Sequence, residues 1–293
     1  MPSNRAGVVL PVLSLLLGAT LWGTIWYPTR LLEGAGLSPI WIVLTMYLGA
    51  LAAGVWVFYA AREEYRRHPI ALAILGLTAG WCNVAFFLAV MDGLVVRVLL
   101  LFYLSPVWTV LLGWLVLGER LSWLARGVLV LALTGAAVML WDPGIGVPWP
   151  RSAADWFAIS AGMGFSATNV AVRYLQDVSV RAKGAANWLG VAVLAGAWVM
   201  LAQAPPPGVA GVVWLGALAL GVAAIVVMTV SVQYGVAAMP VHRSAVILLF
   251  ELVAGTVSSQ LLTDEVIKTK EWVGGALIVA AALASARMHV ERS

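Results

Sequence analysis

Two stretches of similar layout decide the fold: RVLLLFYLSPVWTVLLGWLVLGE, Arg97–Glu119, and RSAVILLFELVAGTVSSQLLTDE, Arg243–Glu265. In each stretch an arginine opens an apolar run and a glutamate ends it. The second stretch begins 146 positions after the first, and the chain has 293 residues. An offset of half the chain predicts an internal duplication. We therefore expect two repeats, over residues 1–146 and 147–293.

The composition places the chain in a membrane, because 62% of its residues are hydrophobic, only 10% are charged, and its mean hydropathy is +0.98. Runs of about 20 uncharged residues can cross a hydrocarbon core of about 30 Å as helices. Five such runs occur in each half, the ninth with one charge inside it. They predict an all-α integral membrane protein with ten transmembrane helices, over Ala6–Thr29, Pro39–Ala61, Pro69–Met91, Val98–Gly118, Gly127–Trp141, Trp156–Val172, Gly184–Met200, Leu215–Ala237, Ser244–Thr263 and Trp272–Ala286.

The distribution of lysine and arginine predicts the orientation of the chain. The amino terminus, the carboxyl terminus and every second loop together hold 12 of the 17 basic residues. Loops rich in Lys and Arg face the cytoplasm, so both termini are expected there. Five spans per half is an odd number, and the second repeat must then run inverted relative to the first. The net charge of +4 is accounted for by this loop bias.

Several classes of function are excluded by what the sequence lacks. Cys82 is the sole cysteine, and the three histidines are far apart in sequence, so we expect no disulfide, no metal site and no cofactor. The chain offers no nucleophile–base pair, and we do not expect an enzyme. No basic patch is interleaved with aromatic residues outside the spans, which argues against nucleic acid. No phosphate-binding loop is present, so ATP is not the direct driver.

Spans 1 and 6 carry candidate binding residues at equivalent positions. Trp22 and Trp26 are four residues apart and share a helix face. Aligning the repeats places Phe165 at the position of Trp22 and Asn169 at that of Trp26. The alternative is that the tryptophans are interfacial anchors, which is a common role for this residue.

Spans 3 and 8 carry polar groups that need partners. Asn83 and Phe87 lie on one face of span 3, and Gln233 and Tyr234 lie in span 8. An amide in hydrocarbon must face protein or water, because lipid offers it no hydrogen bond. These positions are therefore candidates for the wall of a cavity.

Span 4 is expected to bend beside a cavity. Pro106 removes one backbone donor and frees the carbonyl four residues earlier. Such a break is tolerated where side chains, waters or other helices satisfy the freed group. Tyr103, Ser105 and Trp108 surround the break and are candidate binding residues. An inert packing kink is the alternative.

Three glutamates near or inside spans receive different interpretations. Glu251 lies well inside span 9, where a charged side chain costs on the order of 3 kcal/mol. It is either a ligand for a substrate ammonium group or a proton carrier, or else a protonated group bonded to a neighbouring helix. Glu119 and Glu265 end their spans, and we expect them to cap the next short helix or to pair with nearby Arg120, Arg126, Lys268 or Lys270.

The segment PVWTVLLGWLVLGERLSWLARGVLVLALTGAAVML, residues 106–140, resembles the drug/metabolite transporter superfamily, and more narrowly its members built of two EamA-type domains. The resemblance rests on Gly118-Glu119 with Gly127 eight residues on, and on a weaker echo at Glu265 and Gly274. The second half departs from this pattern at Asp264, which replaces the glycine. This resemblance covers nearly the whole chain and implies a central cavity that opens alternately to either side.

Within that superfamily the chain is most similar to bacterial inner-membrane exporters of aromatic amino acids. Five aromatic residues fall where that resemblance places a cavity lining, namely Trp22, Phe86, Phe87, Tyr103 and Phe165. Asn83 departs from a purely aromatic lining. The resemblance implies a multi-pass protein of the bacterial inner membrane.

The sequence therefore predicts a secondary transporter that exports aromatic or other neutral amino acids and related metabolites by alternating access. Its expected partners are a small-molecule substrate and the lipid bilayer, and a monomer is expected. A flat apolar side chain suits the aromatic faces, while Glu251 and the amides bind amino and carboxylate groups. The alternative is a multidrug exporter of apolar cations, in which aromatic faces offer cation–π contacts and Glu251 neutralises the charge.

Overall fold

The computed structural model describes residues 5–93, 95–144, 149–263 and 268–287. These residues form helices joined by turns, and none of them lies in a β-strand. A π-helical segment, Gly221–Ile225, joins α11 to α12. In chain order the α-helices are α1 (Arg5–Thr24), α2 (Trp26–Gly34), α3 (Pro39–Ala60), α4 (Arg62–Arg67), α5 (Pro69–Asp92), α6 (Val95–Phe102), α7 (Ser105–Leu117), α8 (Trp123–Leu140), α9 (Ala153–Tyr174), α10 (Val180–Leu201), α11 (Gly211–Leu220), α12 (Val226–Ala238), α13 (Val241–Leu248), α14 (Phe250–Leu262) and α15 (Thr269–Arg287).

Helices that can cross a membrane dominate the described chain, which confirms the multi-pass, all-helical character predicted from composition. Two of the ten predicted spans, the sixth and the tenth, form the helices α9 and α15, which are less apolar than the other eight spans. Asp155 and Asn169 lie in α9, while Lys270 and Glu271 begin α15. The count of ten membrane spans therefore stays a prediction. Eight stretches of described helix are long and apolar enough, Val9–Gly34, Pro39–Ala60, Pro69–Val90, Arg97–Leu117, Trp123–Leu140, Val180–Leu201, Gly211–Ala238 and Val241–Leu262.

Spans 1, 4 and 9 are each interrupted by one or two residues. Ile25 separates α1 from α2, Tyr103 and Leu104 separate α6 from α7, and Leu249 separates α13 from α14. Adding the sequence offset of 146 to the bounds of α6 gives the bounds of α13. Pro106 lies in the first turn of α7, where its missing N–H is not needed, so the predicted interruption is confirmed. The break in span 9 occurs without a proline.

The two halves of the chain share one hydrophobic core. The helices α3 and α5 pack on α10, and α1 packs on α12. The largest buried cluster accordingly combines Leu15, Met46 and Leu75 from the first half with Trp188 and Val191 from the second. The boundary predicted at residue 146 therefore does not separate two independent cores.

The crossing of α5 and α10 is a backbone contact. A Cβ added at Gly190 would lie 1.9 Å from the carbonyl oxygen of Gly76. Small residues let helix backbones approach this closely, which matters in lipid because apolar tails provide no hydrophobic drive for association. The crossing holds α10 of the second half against the first half, beside α9.

Two buried cations hold helix ends. Lys183 Nζ donates to the carbonyl oxygen of Leu175 at 3.0 Å, just beyond the end of α9. Arg243 Nη2 donates to the carbonyl oxygen of Ser285 at 2.6 Å, near the end of α15. Cations at these places satisfy carbonyls that have no partner inside the helix and complement the negative end of its dipole.

Glu119 binds partners other than the four basic residues predicted for it. Its carboxylate accepts hydrogen bonds from Arg173 Nε at 3.4 Å and from the Val241 N–H at 2.9 Å. Gly118, with φ of +68°, ends α7 in the left-handed conformation that allows the chain to turn here. The carboxylate therefore caps the start of α13 rather than the start of α8. Glu265 lies outside the described residues.

Candidate functional site

A small cavity lies between the break in span 4 and the break in span 9. Its free space of about 10 Å³ holds about one water molecule. Nothing larger than a water molecule fits unless the helices around the cavity separate. The cavity is lined by residues of the α6–α7 junction, of α9, and of the α13–α14 junction, namely Phe102, Tyr103, Ser105, Pro106, Phe165, Ala245, Leu248, Leu249 and Glu251.

Glu251 supplies a carboxyl group to this cavity. It lies in the first turn of α14, where the partial positive charge of the helix N-terminus favours a carboxylate. Its side chain interacts with that of Tyr103, which belongs to the other break. Within the described part of the chain Glu251 forms no salt bridge. Tyr103 therefore interacts with this carboxyl group, but no basic side chain of the described residues neutralises it.

Three aromatic rings pack around Phe102. The ring centroids of Phe86 and Phe102 are 4.9 Å apart, those of Phe102 and Tyr103 are 5.3 Å apart, and those of Phe102 and Phe165 are 5.8 Å apart. The first two pairs meet edge to face, an arrangement that the ring quadrupoles favour. This aromatic cluster gives the cavity faces that suit a flat ring or a cation.

A buried hydroxyl group fixes α9 against the break between α6 and α7. The side chain of Ser166 is fully buried and donates to the carbonyl oxygen of Ser105 at 2.8 Å. Thr109 in turn donates to the hydroxyl oxygen of Ser166 at 3.0 Å. One turn earlier, a Cβ at Gly162 would lie 2.7 Å from the carbonyl oxygen of Phe102. The close approach positions Phe165 beside Phe102.

Five of the predicted site residues lie at or next to the cavity. Tyr103, Ser105, Phe165 and Glu251 line it. Phe86 reaches it through its contact with the ring of Phe102.

Four other predicted residues pack elsewhere. Trp22 packs on the main core, and Phe87 packs on a cluster formed by α3, α5 and α10. The indole N–H of Trp26 donates to Ser258 Oγ at 2.9 Å. Asn83 accepts from the Tyr47 hydroxyl at 3.2 Å, in the seam between α3 and α5. The polar groups of Trp26 and Asn83 are thus already used in helix packing.

Three polar groups on the predicted list have no hydrogen-bond partner among the described residues. Both amide atoms of Gln233 and Nε1 of Trp108 are buried and unpaired. Asn169 is 5% exposed, and its side chain makes no hydrogen bond within the described ranges. Buried polar groups without partners are rare in native structures and call for an explanation. Tyr234, in contrast, is 37% exposed and points away from Gln233.

Sequence reasoning missed part of the cavity wall. Phe102 could have been found, because Pro106 frees its carbonyl and because it is aromatic. Ala245, Leu248 and Leu249 carry no such signal, since an apolar residue in a span can face lipid, core or cavity alike.

Comparisons with known proteins agree with this architecture. Residues 9–141 match the family model described as EamA-like transporter family. The matched region lies within the first half. A solved structure titled "Crystal structure of protein" has a TM-score of 0.75 at 20% sequence identity, covering 97% of this chain and 98% of its own. At that identity the likeness shows the fold alone. No curated protein matches the sequence.

Proposed function

We propose that the chain is a secondary transporter that exports aromatic or other neutral amino acids and related metabolites by alternating access. The observation that carries this proposal is the position of Glu251, a carboxyl group beside an aromatic cluster at the junction of two broken helices. Discontinuous membrane helices at mid-depth form the binding sites of many secondary transporters. We do not propose a catalytic activity.

The mechanism requires ten spans arranged as two inverted five-helix repeats. The matched breaks at Leu104 and Leu249 support such a repeat, because they occur at nearly equivalent positions of the two halves. Inverted repeats give two arrangements of similar energy that open to opposite sides. The cavity as it stands is too small for an amino acid, which fits a closed conformation between the two openings.

The ammonium group of the substrate is assigned to Glu251. A hydrogen bond to a charged group stabilises a complex by about 1.5–3 kcal/mol. Tyr103 interacts with the same carboxyl group and positions it. The flat side chain of an aromatic amino acid then packs on Phe102 and Phe165, which frame the cavity.

The carboxylate group of the substrate is assigned to the two unpaired amides. Asn169 lies one helical turn from the cavity residue Phe165, and Gln233 lies on the neighbouring helix α12. Arg173 and Ala237, which follow these amides by one turn each, are hydrogen-bonded at 2.6 Å, so the amides lie at a similar depth. The Gln233 amide is buried without a partner, and the Asn169 side chain makes no hydrogen bond among the described residues, so both can donate to a carboxylate once the helices separate.

Efflux of labelled phenylalanine from reconstituted vesicles tests the proposal. Glu251→Gln protein should transport more slowly across a pH series, with a flatter profile, because it keeps the side-chain size and loses the ionisable group. Glu63→Gln, which removes an exposed carboxylate from α4, is the matched control and should behave as the wild type. An unchanged rate and pH profile in Glu251→Gln would remove Glu251 from the mechanism.

Export of apolar cations is the second candidate, and one observation favours it. The described lining of the cavity contains a carboxyl group and aromatic rings but no arginine, lysine or histidine. A cation close to aromatic faces gains about 0.5–2 kcal/mol from each good contact. A zwitterion, in contrast, depends on the amides to hold its carboxylate.

A competition experiment separates the two candidates. Phenylalanine and phenethylamine share a ring and an ammonium group, but phenylalanine alone carries a carboxylate. Stronger competition by phenylalanine supports amino acid export. Stronger competition by phenethylamine and by quaternary ammonium compounds supports cation export instead.

The proposed setting is a bacterial inner membrane, with a monomeric protein and both termini in the cytoplasm. Arginine–aromatic contacts at one end of the bundle support this orientation, since such belts mark the membrane interface and basic residues mark its cytoplasmic side. They are Arg62 over Tyr59, Arg126 over Trp123 and Arg181 over Trp56.

A further inference from the structure

One carboxylate joins three helices at the end of the bundle where α7 ends. Glu119 Oε1 lies 3.4 Å from Arg173 Nε, near the end of α9. Glu119 Oε2 accepts from the Val241 N–H at the start of α13 at 2.9 Å, and His242 Nδ1 lies 3.7 Å from the same oxygen. The last distance exceeds a hydrogen bond, and the contact with His242 is electrostatic.

Arg173 extends this group to a fourth helix. Its Nη1 donates to the carbonyl oxygen of Ala237 near the end of α12 at 2.6 Å. We call Glu119, Arg173 and His242, with the backbone groups of Val241 and Ala237, the Glu119 latch. The latch contains residues of both halves of the chain.

Three of the four helices that the latch joins, α7, α9 and α13, line the cavity. Along α7 the cavity residue Ser105 lies about 18 Å from the helix end, at a rise of 1.5 Å per residue. By the same measure Phe165 lies about 12 Å from Arg173, and Ala245 about 6 Å from Val241. Each of the helices α7, α9 and α13 thus runs from the cavity to the Glu119 latch. The latch therefore closes that end of the bundle. A path from the cavity to that end passes between helices that Glu119 holds together.

A second ion pair between the halves is built differently. Arg97 of α6 pairs with Asp155 of α9 at 2.8 Å, and these side chains are only 10% and 3% exposed. Asp155 also accepts from the N–H of Arg151 at 2.7 Å. The pair in the latch is longer, and its side chains are 27% and 17% exposed. Partly solvated pairs exchange their partner for water at little cost, whereas buried pairs do not.

Glu119 is ionised at neutral pH. Burial raises the pKa of Glu119, but His242, the Val241 N–H and the charge of Arg173 together hold it below the ordinary value of 4.5. The latch is thus a charged contact under physiological conditions, and it needs no change of protonation to form or to break.

We propose that Glu119 is the positioning residue that keeps this end of the transport path closed, and that its contact with Arg173 breaks whenever the path opens there. The inference needs only that the cavity lie on a transport path. The identity of the substrate is not part of it.

Labelling of a cysteine in the cavity tests the latch without any substrate. The reporter is Ala245→Cys in a Cys82→Ala background, and a membrane-impermeant maleimide is added from one side or the other. Glu119→Gln keeps the acceptor for the Val241 N–H but removes the charge that holds Arg173. Labelling from the side that carries Glu119 should rise about three- to fivefold, which corresponds to the loss of one partly exposed ion pair. Labelling from the other side should not rise.

Three comparisons decide the outcome. Arg173→Gln should raise labelling at least as much as Glu119→Gln does, because it removes the same ion pair and also the hydrogen bond to the Ala237 carbonyl oxygen. The double variant should add nothing to the effect of Arg173→Gln. Glu63→Gln, at the exposed pair with Arg67, should leave labelling unchanged. Unchanged labelling in folded Glu119→Gln protein, or an equal rise from both sides, would overturn the latch. If Glu119→Gln protein does not fold, Arg173→Gln decides the question alone. A failure of phenylalanine efflux would leave this labelling result intact.

Discussion

Ser105 and Glu251 are separated by 146 positions in the chain and line the same cavity. Ser105 is the first residue of α7, and Glu251 is the second residue of α14. Each follows a break in a helix, and the backbone around the two positions is therefore alike. The side chains differ, since the first half contributes a hydroxyl and the second contributes an acid. The two breaks are alike in local structure but supply different chemistry to the cavity.

Equilibrium binding measurements test directly whether Glu251 contributes more to substrate binding than Ser105 does. Glu251→Gln should weaken binding of phenylalanine about tenfold or more, because it removes a hydrogen bond to a charged group worth about 1.5–3 kcal/mol. Ser105→Ala at the equivalent position should change the affinity by less than about threefold, since the Ser105 side chain makes no hydrogen bond among the described residues. Equal effects of the two substitutions would contradict the assignment.

Phe102 is expected to set the preference for flat side chains. Phe102→Leu keeps an apolar side chain but removes three ring–ring contacts, each worth about 0.5–1.5 kcal/mol. The affinity for phenylalanine should fall relative to the affinity for leucine, measured in the same competition assay. Phe87→Leu, which changes a ring outside the cavity, should leave the ratio as it is. A fixed ratio in Phe102→Leu would show that the aromatic cluster has no part in selectivity.

Ser166 is expected to matter for stability through the position of α9. Ser166→Ala leaves the buried Thr109 hydroxyl without its acceptor, and an unsatisfied buried group costs about 1–3 kcal/mol. Thermal unfolding in detergent should occur at a lower temperature. Ser160→Ala removes a hydroxyl that bonds only within its own helix, to the carbonyl of Phe157, and should cost less. If Ser160→Ala destabilised the protein as much, the link between Ser166 and the helix break would be unsupported.

The latch predicts a dependence of stability on pH. Burial raises the pKa of Glu119, but His242, Val241 and Arg173 lower it by more than burial raises it. The pKa of Glu119 in the folded protein therefore lies below 4.5. A carboxyl group with a lowered pKa stabilises the folded state above its unfolded pKa. That contribution is lost as the pH falls through the folded value. Below pH 4.5 the melting temperature of the wild type should therefore fall more steeply than that of Glu119→Gln protein. Parallel curves would mean that the carboxylate contributes nothing.

The helix positions and the break in span 4 can be predicted from the local sequence. Pro106 predicts a break because it cannot donate to the carbonyl four residues earlier, and α7 begins just before it. Leu249 carries no such signal, and its break reflects packing that is set by the whole fold. Side-chain direction was the weaker part of the prediction. Gln233 and Tyr234 differ by 100° around α12, so they cannot both face the interior.

Polar side chains in spans proved hardest to assign from sequence. Asn83 is a candidate because an amide in hydrocarbon needs a partner, and Trp26 because it shares a helix face with Trp22. Each finds a partner in a neighbouring helix, Tyr47 for Asn83 and Ser258 for Trp26. The sequence shows that a partner is needed but not whether protein or substrate provides it. That choice depends on contacts between residues as far apart as 36 and 232 positions in the chain.

The most direct test of the central claim is the sidedness of two loops. Single cysteines at Arg120, after α7, and at Lys268, before α15, would be labelled with a membrane-impermeant reagent in a Cys82→Ala background. Two repeats inserted in opposite senses place Arg120 in the cytoplasm and Lys268 on the opposite side. Labelling of the two cysteines from opposite sides is the predicted result. Labelling of both from the same side would contradict the inverted repeat and the alternating-access mechanism that depends on it.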